Sequence, residues 1–238
     1  TSVYGYSSKS NNLLLSAKKK RISVATIRAR KGIKKIPMIT CYDFSFARLI
    51  DESAIDIILV GDSLGNVMLG FDNTTQVRVD HMIHHAAAVV KGAPSKLVVV
   101  DMPFMSYKVS KSQALENAME IIQKTGAQAV KLEGGREIAE NVAAIVGAGI
   151  PVMGHLGLLP QSVHAIGGYK VQGRGVDASQ QMIEDAEALQ EAGVFSLVFE
   201  MIPSELAQRI TDLLDIPTIG IGAGADCDGQ VLVLQDML

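Results

Sequence analysis

The sequence predicts a single α/β domain of repeated parallel βα units, and three observations carry that prediction. Of its 238 residues, 48% are hydrophobic but only 5% aromatic, and tryptophan is absent. Ala, Val, Ile, Leu and Gly therefore supply the apolar content, which suits strands buried on both faces. Short β-branched runs also alternate with longer stretches whose apolar residues recur every three or four positions, and glycines punctuate the boundaries.

The elements follow in order. Residues 1–42 contain no Asp or Glu but carry Lys9, Lys18, Lys19, Lys20, Arg21, Arg28, Arg30, Lys31, Lys34 and Lys35. This basic, Ser-containing stretch reads as a solvated arm leading into an N-terminal helix, or as the remnant of an organelle transit peptide. We take 1–21 as the arm and 22–238 as the catalytic domain. The first strand is expected at 36–41 and its helix at 44–52; the second strand spans 57–60, with a helix at 81–91. A third strand at 97–100 precedes a helix at 111–125, and a fourth at 129–132 precedes one at 136–148. The fifth, at 151–154, and sixth, at 195–199, lead into helices at 178–192 and 204–214. Strands at 218–221 and 231–234 complete eight, with no eighth outer helix after the last. Gly126, Gly149 and Gly193 sit where helices would stop, and Asp177 and Pro203-Ser204 where helices would start. Eight such units could close a (β/α)8 barrel or lie in an open doubly wound sheet; counting alone does not separate them.

A formal charge of −3 announces no nucleic-acid groove. No run of about 18 apolar residues occurs, so no membrane partner is expected and a cytoplasmic location is the simplest. Cys41 and Cys227 form neither a disulfide framework nor a metal knuckle, and read as reduced thiols. There is no GxxxxGK[ST], and 220–224 is GxGxG rather than GxGxxG, so nucleotide binding is weakly signalled.

Parallel strands open their C-terminal ends on one face, and those ends are unusually polar here. Strand two ends in Gly61-Asp62-Ser63, three in Asp101, four in Lys131-Leu132-Glu133, five in His155 and six in Glu200. Asp62, Asp101 and Glu133 offer three hard oxygen ligands of the kind that hold Mg2+; the competing reading makes each the cap of a following helix. Lys131 and Glu133, two apart on one strand, share a face. A buried lysine there suits a substrate carboxylate or developing enolate oxygen, or neutralises Glu133 or Asp101. Glu200 ends an apolar run, where desolvation favours general-base work. His155 is expected to contact substrate without being the principal base, whereas His81, His84 and His85 read as a solvated helix face. The polar loop 167–175 has the character of a lid.

Certain motifs are more specific. Thr40-Cys41-Tyr42-Asp43, Val60-Gly61-Asp62-Ser63, Asp101-Met102-Pro103-Phe104, the run from Val130 to Gly135, Gly154-His155-Leu156-Gly157 with Pro160-Gln161-Ser162, the loop 167–175, and 220–224 followed by Asp228-Gly229-Gln230 occur together. In this combination the chain, from about residue 22 to 238, closely resembles the ketopantoate hydroxymethyltransferase family. The resemblance implies a (β/α)8 TIM barrel, a bound Mg2+, 3-methyl-2-oxobutanoate as substrate and 5,10-methylenetetrahydrofolate as one-carbon donor, on the route to pantothenate. It also implies a homo-oligomer, commonly a decamer. On that analogy Asp62, Asp101 and Glu133 face the metal, Asp62, Ser63, Asp101 and Lys131 contact the oxo acid, and Glu200 accepts the proton. A lyase or mutase of the phosphoenolpyruvate mutase and isocitrate lyase kind would be favoured by a cysteine in a KKCGH-like loop, and the loop regions of this sequence hold no such motif. A catalytically dead scaffold would have no use for converging buried charge.

Overall fold

The computed structural model describes residues 20–166, 168 and 170–238. Its chain order is α1 (Val24–Arg28), β1 (Ile36–Thr40), α2 (Phe44–Asp51), β2 (Ile57–Val60), α3 (Leu64–Val67), α4 (Val79–Gly92), β3 (Leu97–Asp101), α5 (Lys111–Thr125), β4 (Ala129–Glu133), α6 (Ala139–Gly147), β5 (Val152–Gly157), α7 (Val163–Ile166), α8 (Val176–Glu191), β6 (Ser196–Glu200), α9 (Ser204–Leu213), β7 (Thr218–Ile221), β8 (Gly229–Leu232) and α10 (Leu234–Met237). Every strand pairs in parallel with the next and β8 returns to β1, so the sheet is a closed eight-stranded barrel. Closure selects the barrel over the open sheet that the strand count allowed.

Alternation along the strands divides the apolar residues in two. Ile36, Met38, Ile57, Leu59, Leu97, Val99, Ala129, Met153, Val198, Ile219 and Val231 fill the lumen with Ile27 of α1, while Ile58, Val60, Val98, Val100, Val130, Leu132 and Leu197 pack outward against the helices. The same alternation carries the polar strand ends. Asp101 follows Leu97 and Val99 on the inward side, Lys131 and Glu133 follow Ala129, His155 follows Met153, and Glu200 follows Val198. Register then sets Asp101 beside Lys131 and Glu133 beside His155 on neighbouring strands.

The lower mouth is closed by the segment before β1. Ser23 caps α1 by accepting from Thr26 N–H at 3.2 Å, and Ile27 is fully buried. The basic residues that follow are not simply solvated. Arg30 pairs with Asp56, Lys31 lies 2.9 Å from Asp228, and Lys35 donates to the Ala225 and Cys227 carbonyls. Lys9, Lys18 and Lys19 of the expected arm lie outside the described residues, as do Gly167 and Tyr169 of the expected lid. The described part of that loop is tied down by Gln172 N–H, which donates to Met201 O beside Glu200.

The departures from expectation are local. β5 runs on to Gly157, so His155 stands within the strand instead of after it. β8 starts two residues earlier than expected, at Gly229, where a Cβ would stand 2.3 Å from the Ile36 carbonyl oxygen; the close approach requires a glycine, and glycine content hides the strand from a reading based on β-branching. The helix expected over 136–148 opens as a 3-10 turn, Arg136–Ile138, before α6. After β8 comes one turn of helix, α10. Seven residues link β7 to β8 without a helix, and the glycines of 220–224 are there for contact: a Cβ on Gly220 would meet Cys227 Sγ at 3.1 Å, one on Gly222 the Met201 sulfur at 2.8 Å, and one on Gly224 Ser204 at 2.6 Å. The histidines also differ from a solvated face. His81 Nδ1 accepts from Arg78 N–H and His85 Nδ1 lies 2.7 Å from the Tyr42 carbonyl oxygen, leaving only His84 exposed.

Candidate active site

All seven residues singled out at the strand ends, Asp62, Ser63, Asp101, Lys131, Glu133, His155 and Glu200, line one cavity of about 100 Å3 at the upper mouth. Leu59, Pro160, Val198, Ile221, Val231 and Val233 form its apolar lining, and Thr40 completes it. Larger concavities include two, of about 400 and 810 Å3, at the lower mouth around Lys31, Lys34 and Lys35, where Asp228 is paired with Lys31 and Asp56 with Arg30. Convergent chemistry, not size, marks the upper cavity as the site.

Lys131 Nζ lies 3.0 Å from Asp101 Oδ1. Burial opposes its charge, but Asp101, Glu133 and Asp62 outweigh burial and hold the ammonium protonated. Asp101 Oδ2 accepts from Asp62 N–H at 3.0 Å, which fixes the turn after β2 against β3. Burial, and then the charges of Glu133 and Asp101, push Asp62 well above the usual carboxylate range. Asp101 is also raised, by burial first and by Glu133, against the pull of Lys131. Glu133 moves the other way: burial would raise it, but His155, Lys131 and the Gln161 N–H together outweigh burial and hold it low.

His155 is 2% exposed. Burial and Lys131 disfavour its proton, yet the Glu133 and Glu200 carboxylates facing its two ring nitrogens push its pKa up to about 9. Its Nδ1 stands 3.2 Å from Lys131 Nζ and 3.4 Å from Glu133 Oε1 and can serve only one of them; a protonated ring donates to Glu133, leaving Lys131 to Asp101. Its Nε2 is 3.3 Å from Glu200 Oε2. The Glu200 side chain is 21% exposed, so it is partly solvated and faced by His155 instead of standing at a dry edge. Ser63 Oγ shares a 2.6 Å hydrogen bond with the Tyr42 hydroxyl.

The helix-cap reading of the three acids fails. Asp43 and Ser110 cap α2 and α5, Ser63 and Gly135 occupy the cap positions after β2 and β4, and Asp62, Asp101 and Glu133 all turn into the cavity. Two buried residues that sequence reasoning gave no role stand behind these acids. Gln161 donates to Asp62 Oδ2 and Glu133 Oε2, and Tyr107 OH lies 2.8 Å from Gln161 Oε1. The sequence signals for Gln161 are its place after Pro160 and its membership of the Pro160-Gln161-Ser162 motif, neither of which gives it a role; Tyr107 has none.

Among the described residues no group of three or more His, Cys, Asp and Glu is already arranged as a coordination shell. The donor set nevertheless suits a hard cation: three carboxylates face one cavity, and burial first, with the charge of Glu133 added to it, raises two of them, so that a divalent ion would favour their ionised forms.

A closed parallel barrel with buried, mutually perturbed acids and a lysine at its C-terminal mouth defines a (β/α)8-barrel enzyme. The family described as ketopantoate hydroxymethyltransferase matches residues 21–238, and the chain belongs to that family. It is 59% identical over 209 residues to the 3-methyl-2-oxobutanoate hydroxymethyltransferase of Heliobacterium modesticaldum, covering 88% of this chain and 76% of that protein. It is 55% identical over 219 residues to the enzyme of the same name from Syntrophomonas wolfei, covering 92% and 79%. Among solved structures, a phosphoenolpyruvate phosphomutase from Streptomyces platensis superposes with a TM-score of 0.67 at 14% identity, covering 90% of this chain and 82% of that one. A phosphonopyruvate hydrolase gives 0.68 at 11% identity, covering 92% and 82%. At such identity these likenesses concern the fold alone. Among the described residues no helix is long and apolar enough to cross a membrane.

Proposed function

We propose that this enzyme transfers a hydroxymethyl group from 5,10-methylenetetrahydrofolate to 3-methyl-2-oxobutanoate, giving 2-dehydropantoate and tetrahydrofolate. The observation that carries the reading is the shared cavity of protonated Lys131, the three acids and Glu200. Lys131 places a buried positive charge where the oxo acid's carboxylate, or its enolate oxygen, needs one. Ser63, oriented by Tyr42, offers a hydroxyl to the same group. Leu59, Val198 and Val231 give the branched alkyl group an apolar wall. Glu200 accepts the C3 proton, and His155 beside it holds that carboxylate in place. The carbanion carbon forms the new bond to the folate-borne methylene carbon; one water supplies the hydroxyl oxygen, and both folate nitrogens leave protonated.

Asp62, Asp101 and Glu133 would hold Mg2+, which when bound polarises the keto oxygen and makes the C3 proton more acidic. Homo-oligomerisation is supported by the apolar residues that α2 exposes, Phe44, Phe46 and Leu49, and the cytoplasm is the proposed location.

Exchange of the C3 proton of 3-methyl-2-oxobutanoate in D2O, followed by NMR with Mg2+ or with EDTA, tests the reading without folate. Exchange should require metal and fall by about 10^2- to 10^4-fold in Glu200→Gln. Undiminished exchange in that variant would remove Glu200 from the role.

A further inference from the structure

Gln161 lies in the turn after β5 and is 3% exposed, and its polar atoms are all directed inward. Its side-chain amide donates to Asp62 Oδ2 at 2.8 Å and to the Met102 carbonyl at 2.9 Å. Its Oε1 accepts from the Tyr107 hydroxyl at 2.8 Å, and its backbone N–H donates to Glu133 Oε2 at 3.1 Å. The chemistry of these partners fixes the amide's orientation, because a carboxylate and a carbonyl can only accept, so the nitrogen must face them. Tyr107 in turn accepts from Glu133 N–H at 3.1 Å, closing the network on β4.

One neutral residue thus grips acids from two strands, Asp62 after β2 and Glu133 on β4, that repel each other across the cavity. It also fastens the chain just past β3 through Met102. Its neutrality matters. A lysine or arginine in this place would cancel the negative charge that a cation is to meet, whereas an amide orients the carboxylates and leaves their charge intact. Length matters too, since the same side chain must span Asp62, Met102 and Tyr107 while its backbone serves Glu133.

We infer that Gln161 is a positioning residue of this site: it occupies one chosen oxygen of Asp62 and one of Glu133 and so presents the two carboxylates to a divalent cation and the chelating oxo acid. The inference rests on the metal-assisted reading above. Tyr107 acts one step further back, by fixing the amide.

The test is Mn2+ titration of the full chain, followed by EPR without substrate, for wild type, Gln161→Met and Tyr107→Phe, with thermal melts in EDTA alongside. Gln161→Met should weaken Mn2+ binding about 10- to 100-fold in protein that is still folded, and Tyr107→Phe should weaken it by less. In C3-proton exchange the KM for the oxo acid should rise more than kcat falls. A purely structural Gln161 would lower the melting temperature and leave Mn2+ affinity unchanged, and that result overturns the inference. Should Gln161→Met not fold, unchanged Mn2+ affinity in Tyr107→Phe overturns it equally. Wild type that binds no Mn2+ removes the metal-assisted reading and this inference together; wild type and variants that bind alike remove this inference alone.

Discussion

At the lower mouth of the barrel Asp228 accepts from Lys31 Nζ, Gly32 N–H and Thr218 N–H, each at 2.9 Å, and from the Thr218 hydroxyl at 3.3 Å. At the upper mouth Asp62 faces Glu133 and Asp101 and has Gln161 as its neutral partner. Both aspartates are buried. For Asp228, donation from Thr218, Lys31 and Gly32 outweighs burial and holds the carboxyl low; for Asp62, burial and like charge drive it high. The same residue type is a fastening at one end and a stored repulsion at the other. Acids matched by donors contribute to stability, and acids crowded beyond their donors are kept for chemistry at some expense in stability.

Removing the cation from the crowded end gives the largest expected effect. Lys131→Met strips Asp101 of its buried partner and should cost about 3–5 kcal/mol in urea denaturation, as broken buried pairs do, together with loss of C3-proton exchange. If stability were untouched, the acids would not depend on this lysine. Next, Asp228→Asn should cost about 2–3 kcal/mol at neutral pH while leaving exchange per folded molecule unchanged, because the substitution breaks a charged hydrogen-bond cluster far from the cavity. The sign of its pH dependence follows from the lowered pKa. The stabilisation is present above the ordinary value of 3.8 and disappears as pH falls through the lower folded-state value, so wild type and variant should converge only below about pH 4. A gap that stayed open in acid would mean packing, not ionisation, is the cause. The smallest effect has the opposite sign. Asp62→Asn should abolish exchange but raise stability by about 1 kcal/mol, with the gain growing as pH rises from the ordinary value of 3.8 towards the raised folded-state value and levelling off above it, since over that range the unfolded chain gives up its proton while the folded carboxyl keeps it. A net loss of stability on that substitution would break the contrast between the two mouths.

The legible part of the site was the part written along single strands. Lys131 and Glu133 sit two apart and so point the same way in any strand, and Asp101, His155 and Glu200 follow inward-facing apolar residues by the same alternation. Their convergence was also implied by a family resemblance carried on dense motifs. Gln161 was marked by the Pro160-Gln161-Ser162 motif, but its role escaped because its partner Asp62 lies 99 residues earlier and a local motif does not say which strands a turn reaches across. The partners of Arg30 and Lys31 were hidden for a similar reason, since Asp56 and Asp228 are brought beneath the barrel only by the fold.

By itself, then, the sequence determined the alternation of strands and helices, the inward or outward direction of each strand residue and the chemical types gathered at the strand ends, because helical and strand periods are local properties of the backbone. Barrel closure was implied by the family resemblance and not by periodicity, while the pairing of Asp101 with Lys131 and of Glu133 with His155, and the opposite fates of Asp62 and Asp228, were decided by tertiary structure alone. Those depend on register between strands and on which charges share a buried volume, quantities that exist only once the chain has folded.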